Sequence, residues 1–164
     1  MTTVFAPFTE DHFRFQVEAT RIDRLLENGD RRHEGDRQVA RVVDIMHRTA
    51  LPHLRAEGDV LVPLLEGHPD AEGPGLAGRV VEAQAAVLNA VVAVREFFES
   101  RQDHCAALRG LGHALRRHVA LVEDEVVPWV VAHVDEGSLE RIGKRVRTVI
   151  AEGRRPRGGP GATK

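Results

Sequence analysis

Two segments of this chain place a histidine and a carboxylate where both could reach a metal ion, and the two segments read alike. His53-Leu-Arg-Ala-Glu57 runs on to Val62-Pro63, and His118-Val-Ala-Leu-Val-Glu123 runs on to Val127-Pro128. In each, the proline follows the histidine by ten residues. Imidazole nitrogen and carboxylate oxygen are donors that suit iron, manganese or zinc. His/Glu pairs on two helices of a bundle are the raw material of a site between those helices. His53 and Glu57, four residues apart, lie about 400° around an ideal helix, hence roughly 40° apart on one face. His118 and Glu123 are five apart, about 140° out of line. They can share a site only if the side chains splay or the helix is widened locally, as by a π-bulge. Val122, at the four-residue spacing, cannot ligate. Glu125 returns to the face of His118, but two turns away.

The elements that must position these residues are all helices. Apolar residues recur at helical spacing, Gly and Pro punctuate them where turns should fall, and no alternating strand pattern appears. A first helix is expected from Thr9 as N-cap, with Glu10 and Asp11 in its first turn and Phe13, Val17, Ile22 and Leu25 along it, stopping at Asn28-Gly29. A polar loop, 30–35, contains His33. The second helix spans about 36–66 with Val39, Val42, Val43, Met46, Leu54, Leu61 and Leu65 as its stripe, and Pro52 predicts a kink around 48–51. After a Gly/Pro-rich loop at 67–75 come a third helix, about 76–99, and a fourth, about 101–134. Ser138 is expected to cap a shorter fifth helix to about Ala151. The expected fold is all-α: an antiparallel up-down four-helix bundle with a short additional C-terminal helix over residues 1–151, then a disordered basic tail over 152–164.

Bulk composition narrows the function classes. At 164 residues the chain is the size of one domain that can bury a substantial core. Charged residues make up 29% yet the net charge is only -2, so no global field points to nucleic acid or an anionic membrane. No uninterrupted apolar run approaches the ~20 residues needed to span a bilayer. The N-terminus lacks the pattern of a secretory signal. The one cysteine, Cys105, allows no internal disulfide. A cytoplasmic protein is the expectation.

His12 near the start of the first helix, His53-x-x-x-Glu57 with Pro63, and His118-x-x-x-x-Glu123 with Pro128 together resemble the hemerythrin / HHE cation-binding family. The similarity covers about residues 8–134. The resemblance implies a four-helix bundle with a non-haem di-iron centre that carries, senses or processes oxygen, nitric oxide or peroxide. By position, His12 and His53 resemble terminal ligands of one iron, Glu57 a bridging carboxylate, His118 a ligand of the other iron and Glu123 the second bridge. The departure is in helix three, where the family places one or two histidines. This chain has none between His68 and His104; Gln84 stands at the first position and Leu88 at the second. Mononuclear iron, an asymmetric di-iron pair completed by water, and an empty site are all compatible with that pattern.

Each histidine taken alone is more often a surface or core residue than a ligand. His33 and His68 fall in loops, His104 and His133 near helix ends, and His47 and His113 one or two turns before the paired histidines. Cys105, in an apolar helical context, reads as a buried inert thiol. Two functions of different class follow. One is a metal-binding protein for a small diatomic or peroxide ligand, with at most weak peroxide-decomposing or oxygen-using activity. The other is a metal-depleted bundle acting as an interaction or regulatory module through its C-terminal helix and tail.

Overall fold

The structure, a computed structural model, describes residues 3–27, 32–100 and 105–154. Among them every regular element is helical and none is a strand. A 3-10 turn, Thr3–Phe5, leads into α1, Ala6–Glu27. Helix α2, Arg32–Ile45, continues without a break through a π-helical turn π1, Met46–Ala50, then α3, Leu51–Ala56, a second wide turn π2, Glu57–Leu61, and α4, Val62–Glu66. Helix α5 is Glu72–Ser100. Helix α6, Cys105–Leu121, continues through π3, Val122–Val126, into α7, Val127–His133, and α8 is Glu136–Arg154.

The three wide turns share one cause. Pro52, Pro63 and Pro128 each lie two residues beyond the end of a π turn, at the start of the α-helical stretch that follows. Proline has no N–H for the i→i−4 ladder, and its ring collides with the preceding turn. A π turn widens that turn by one residue and keeps the chain helical. The distortion expected at Pro52 therefore takes this form, and it recurs at the prolines of both His/Glu segments.

Several element ends differ from expectation. Helix α1 starts at Ala6, not Thr9, because Pro7 is tolerated in a first turn whose N–H groups have no intrahelical partner. That start sets the buried face: Phe8, Phe15, Ala19 and Ile22 enter the core, while Phe13 and Val17, expected in the apolar stripe, face solvent. Helix α2 begins at Arg32, ahead of the expected 36, and takes in His33. Helix α5 begins at Glu72, whose N–H donates to Asp70 Oδ1. Asp135, not Ser138, caps α8, accepting at Oδ1 from the Ser138 N–H. Helix α8 also runs past Ala151 to Arg154, which removes 152–154 from the expected tail; residues 155–164 lie outside the described residues.

Two apolar clusters make the core. One joins Phe5 and Phe8 to Leu61, Leu65, Val80, Trp129, Val130, Val146 and Ile150. The other joins Phe15 and Ile22 to Val42, Met46, Val87, Leu108, Leu111 and Leu115. Helix α1 packs on α6, α5 on both α4 and α6, and α8 on α3. The stretch Glu72–Glu96 of α5 is long and apolar enough, by length and composition, to cross a membrane. Here it supplies Val80, Val87, Val91 and Val94 to the core.

Candidate metal centre

Four polar side chains meet where the two apolar clusters adjoin. Helix α1 supplies His12, α3 supplies His53, the first residue of π2 supplies Glu57, and the end of α6 supplies His118; each is 1% exposed or less. His53 Nε2 lies 3.0 Å from Glu57 Oε1, 3.1 Å from His12 Nε2 and 3.4 Å from His118 Nε2. Glu57 Oε1 is also 3.3 Å from His118 Nε2 and 3.8 Å from His12 Nε2. One donor atom from each residue lies within 4.8 Å of every other. Two donors each about 2.1 Å from one cation, set about 90–110° apart, are separated by roughly 3.0–3.4 Å. Four of the spacings given fall in that range, and His12 Nε2 to Glu57 Oε1, at 3.8 Å, is wider.

Three imidazole nitrogens and one carboxylate oxygen converge on a single point. The outer ring nitrogen fixes the tautomer of His12. His12 Nδ1 lies 3.1 Å from Glu123 Oε1, and a carboxylate only accepts, so Nδ1 carries the proton and Nε2 points a lone pair inward. His53 Nδ1 faces the buried Asp11 carboxylate, with Oδ2 at 3.5 Å, which favours a proton on Nδ1. Neither of those two atoms, nor His118 Nδ1, has a hydrogen bond among the described residues. A carboxylate behind a histidine is the usual means of orienting a metal-binding imidazole. The donor set fits a borderline transition-metal ion such as iron or zinc.

Electrostatics of the metal-free cluster agree with a cation site. Burial opposes a charge on His53, yet facing Glu57 and Asp11 it is raised from 6.5 to about 9. Burial likewise opposes the Glu57 carboxylate, but His118 and His53 hold it well below the usual range. His12 is pushed down, first by burial, with His53 and His118 adding to the effect against the opposing pull of Glu57. Rings close the site: Phe8 and Phe15 meet the His53 ring edge-on at centroid distances of 5.0 and 4.9 Å.

The remaining expected site residues take other places. Glu123, expected as a second bridge, lies in π3 and reaches the opposite ring nitrogen of His12; its side chain is 31% exposed. The five-residue spacing from His118 puts it on a wide turn, but not among the four inner donors. Glu125 leaves the site altogether, because Arg79 of α5 donates to both its oxygens at the surface. Gln84 is in contact: its amide donates to Glu57 Oε2 at 3.0 Å and to the Leu54 carbonyl at 3.2 Å. Both partners are acceptors, so the nitrogen, not the oxygen, faces the site. Leu88 is on an exposed face. His47, His113 and His133 are exposed, and His68 packs edge-on against Trp129. Cys105 is half-buried, and His104 lies outside the described residues.

Asp11 escaped the sequence reading. In the first turn of a helix starting at Thr9 it is a favourable charge, but with α1 starting at Ala6 it lies beyond that turn and is fully buried. Its i, i+4 relation to Phe15 was the available signal.

A sequence model of the hemerythrin HHE cation-binding domain matches residues 3–130. The chain belongs to that family. No curated protein and no solved structure matches it.

Proposed function

We propose that the chain holds one iron ion through His12 Nε2, His53 Nε2, His118 Nε2 and Glu57 Oε1 and offers it to a small ligand: oxygen, nitric oxide or peroxide. The long helical arms would form an antiparallel four-helix bundle around it. The observation that carries the single-ion reading is Gln84. Its N–H occupies Glu57 Oε2, the oxygen a bridging carboxylate would turn to a second ion, and an amide hydrogen repels a cation. With no histidine on α5, nothing on that helix replaces the lost ligands.

Bound iron would supply reversible redox change and affinity for small ligands. The chain's own groups define the setting. Glu123 and Asp11 hold two imidazoles from behind, His118 and Glu57 complete the donor set, and Phe8 and Phe15 limit water around His53. This setting favours binding or sensing over turnover, because the described residues place no additional acid or base among the inner donors.

Metal analysis of protein produced with iron supplementation, together with optical spectra under argon and under air, tests this reading. One iron per chain with an air-dependent spectrum is expected. Two irons that survive chelation would overturn the single-ion reading. No metal under any supplementation would favour the interaction-module alternative.

A further inference from the structure

The C-terminal helix α8 lies outside the matched residues 3–130, yet its last described residue reaches the back of the metal cluster. The Arg154 guanidinium donates to Asp11 Oδ1. Arg14 donates to the same oxygen at 3.2 Å. Asp11 Oδ2 is left facing His53 Nδ1. The docking that delivers Arg154 has little freedom. A Cβ on Gly143 would stand 2.8 Å from Val4 Cγ1 and 2.9 Å from the Val4 carbonyl oxygen. A Cβ on Gly153 would stand 2.8 Å from Pro52 Cβ. Leu139, Val146 and Ile150 anchor the same helix in the core. Helix α8 therefore presses on Pro52, the neighbour of His53, and with its next residue holds the carboxylate behind the His53 ring.

We propose that α8 is a positioning element of the metal site: Arg154 fixes Asp11, Asp11 fixes the His53 ring, and metal retention is coupled to α8 docking. A buried carboxylate needs a partner for its charge. With Arg154 seated, one Asp11 oxygen is occupied and the other is aimed at Nδ1. Without it, Asp11 Oδ1 keeps only Arg14, which is 52% exposed, and the carboxylate facing His53 is less firmly held. Coupling between two sites is reciprocal, so bound metal must tighten α8 by the same factor that docked α8 tightens metal. The inference rests on the metal-binding reading of the four-residue cluster.

The test uses the full chain and Co²⁺ as an optical probe, with affinity measured by chelator competition. Loss of a group behind a metal-binding histidine costs about 10–100-fold in affinity. Arg154 stands one contact further out, so Arg154→Gln is expected to weaken Co²⁺ binding toward the lower end of that range and to change the Co²⁺ absorption bands. Arg154→Lys should recover part of the loss, and Arg141→Gln, on the same helix but bound to Ser138, should change nothing. In the unaltered chain, Co²⁺ should slow amide hydrogen exchange along α8; this arm decides the matter if Arg154→Gln fails to fold. Equal Co²⁺ affinity in a folded Arg154→Gln variant, or α8 exchange indifferent to Co²⁺, would overturn the coupling while leaving the metal site standing. Failure of the unaltered chain to bind Co²⁺ would overturn both.

Discussion

At the scale of single residues, the centre is defined by which nitrogen of each imidazole carries the proton. His53→Ala removes the donor that touches all three others, and loss of the tight site is expected in a metal titration. Gln84→His exchanges an N–H aimed at Glu57 for an imidazole; occupancy of a second ion should rise, read as metal-to-protein ratio. pH should act in opposite directions on the metal-free and loaded protein. His53 is raised from 6.5 to about 9 in the folded metal-free chain, so its contribution to stability is complete below about 6.5 and is lost as pH rises through about 9. Glu57 is depressed, so its contribution is present above about 4.5 and is lost as pH falls through its lowered value. Metal must displace the His53 proton, so affinity should climb as pH rises toward about 9. Urea unfolding at pH 6 and 9.5, with and without metal, separates the two trends; metal-free stability rising with pH over this interval would contradict the assignment. The inner four residues were legible in sequence because ligand type and spacing are local. Asp11 and Arg154 were not, since their partners lie 42 and 143 positions away in sequence, as 53 − 11 and as the separation of the Arg154–Asp11 pair.

At the scale of elements, proline and glycine decide how helices approach. Each of Pro52, Pro63 and Pro128 follows a π turn, and two of those turns lie just beyond His53 or His118. Of the two routes by which Glu123 could join His118, splayed side chains or a wide turn, the wide turn forms, yet Glu123 contacts His12 from outside. The angle a side chain takes on a wide turn depends on what packs there, and spacing alone does not fix it. Gly143 gives a direct test of close packing. Gly143→Val would drive a side chain into Val4 backbone, and overpacking of this kind costs about 1–3 kcal/mol. Urea unfolding of the metal-free variant should show that loss, and stability equal to the unaltered chain would mean that α8 is not held as described.

At the scale of the whole molecule, a polar cluster adjoins two apolar clusters, so an ion there would tie α1, α3, π2 and α6 together. A ligand that binds only the folded chain stabilises it by about 2.7 kcal/mol at a hundredfold excess over Kd. For a chain of this size that corresponds to roughly 5–11 °C in Tm. Thermal melts with Fe²⁺ under argon should show this rise, and His53→Ala should abolish it. The sequence by itself determined the helical class and the family, and it named the four clustered residues only within a longer candidate set that also held Glu123, Gln84 and Glu125. Helical periodicity, punctuation by Gly and Pro, and metal-ligand spacing are all written within a few turns of chain. Tertiary packing decided the buried face of α1, the inward lone pair of His12, the turning of Glu125 to Arg79 and the reach of α8 to Asp11. Those outcomes depend on desolvation and on partners from distant segments, which exist only once the helices have packed.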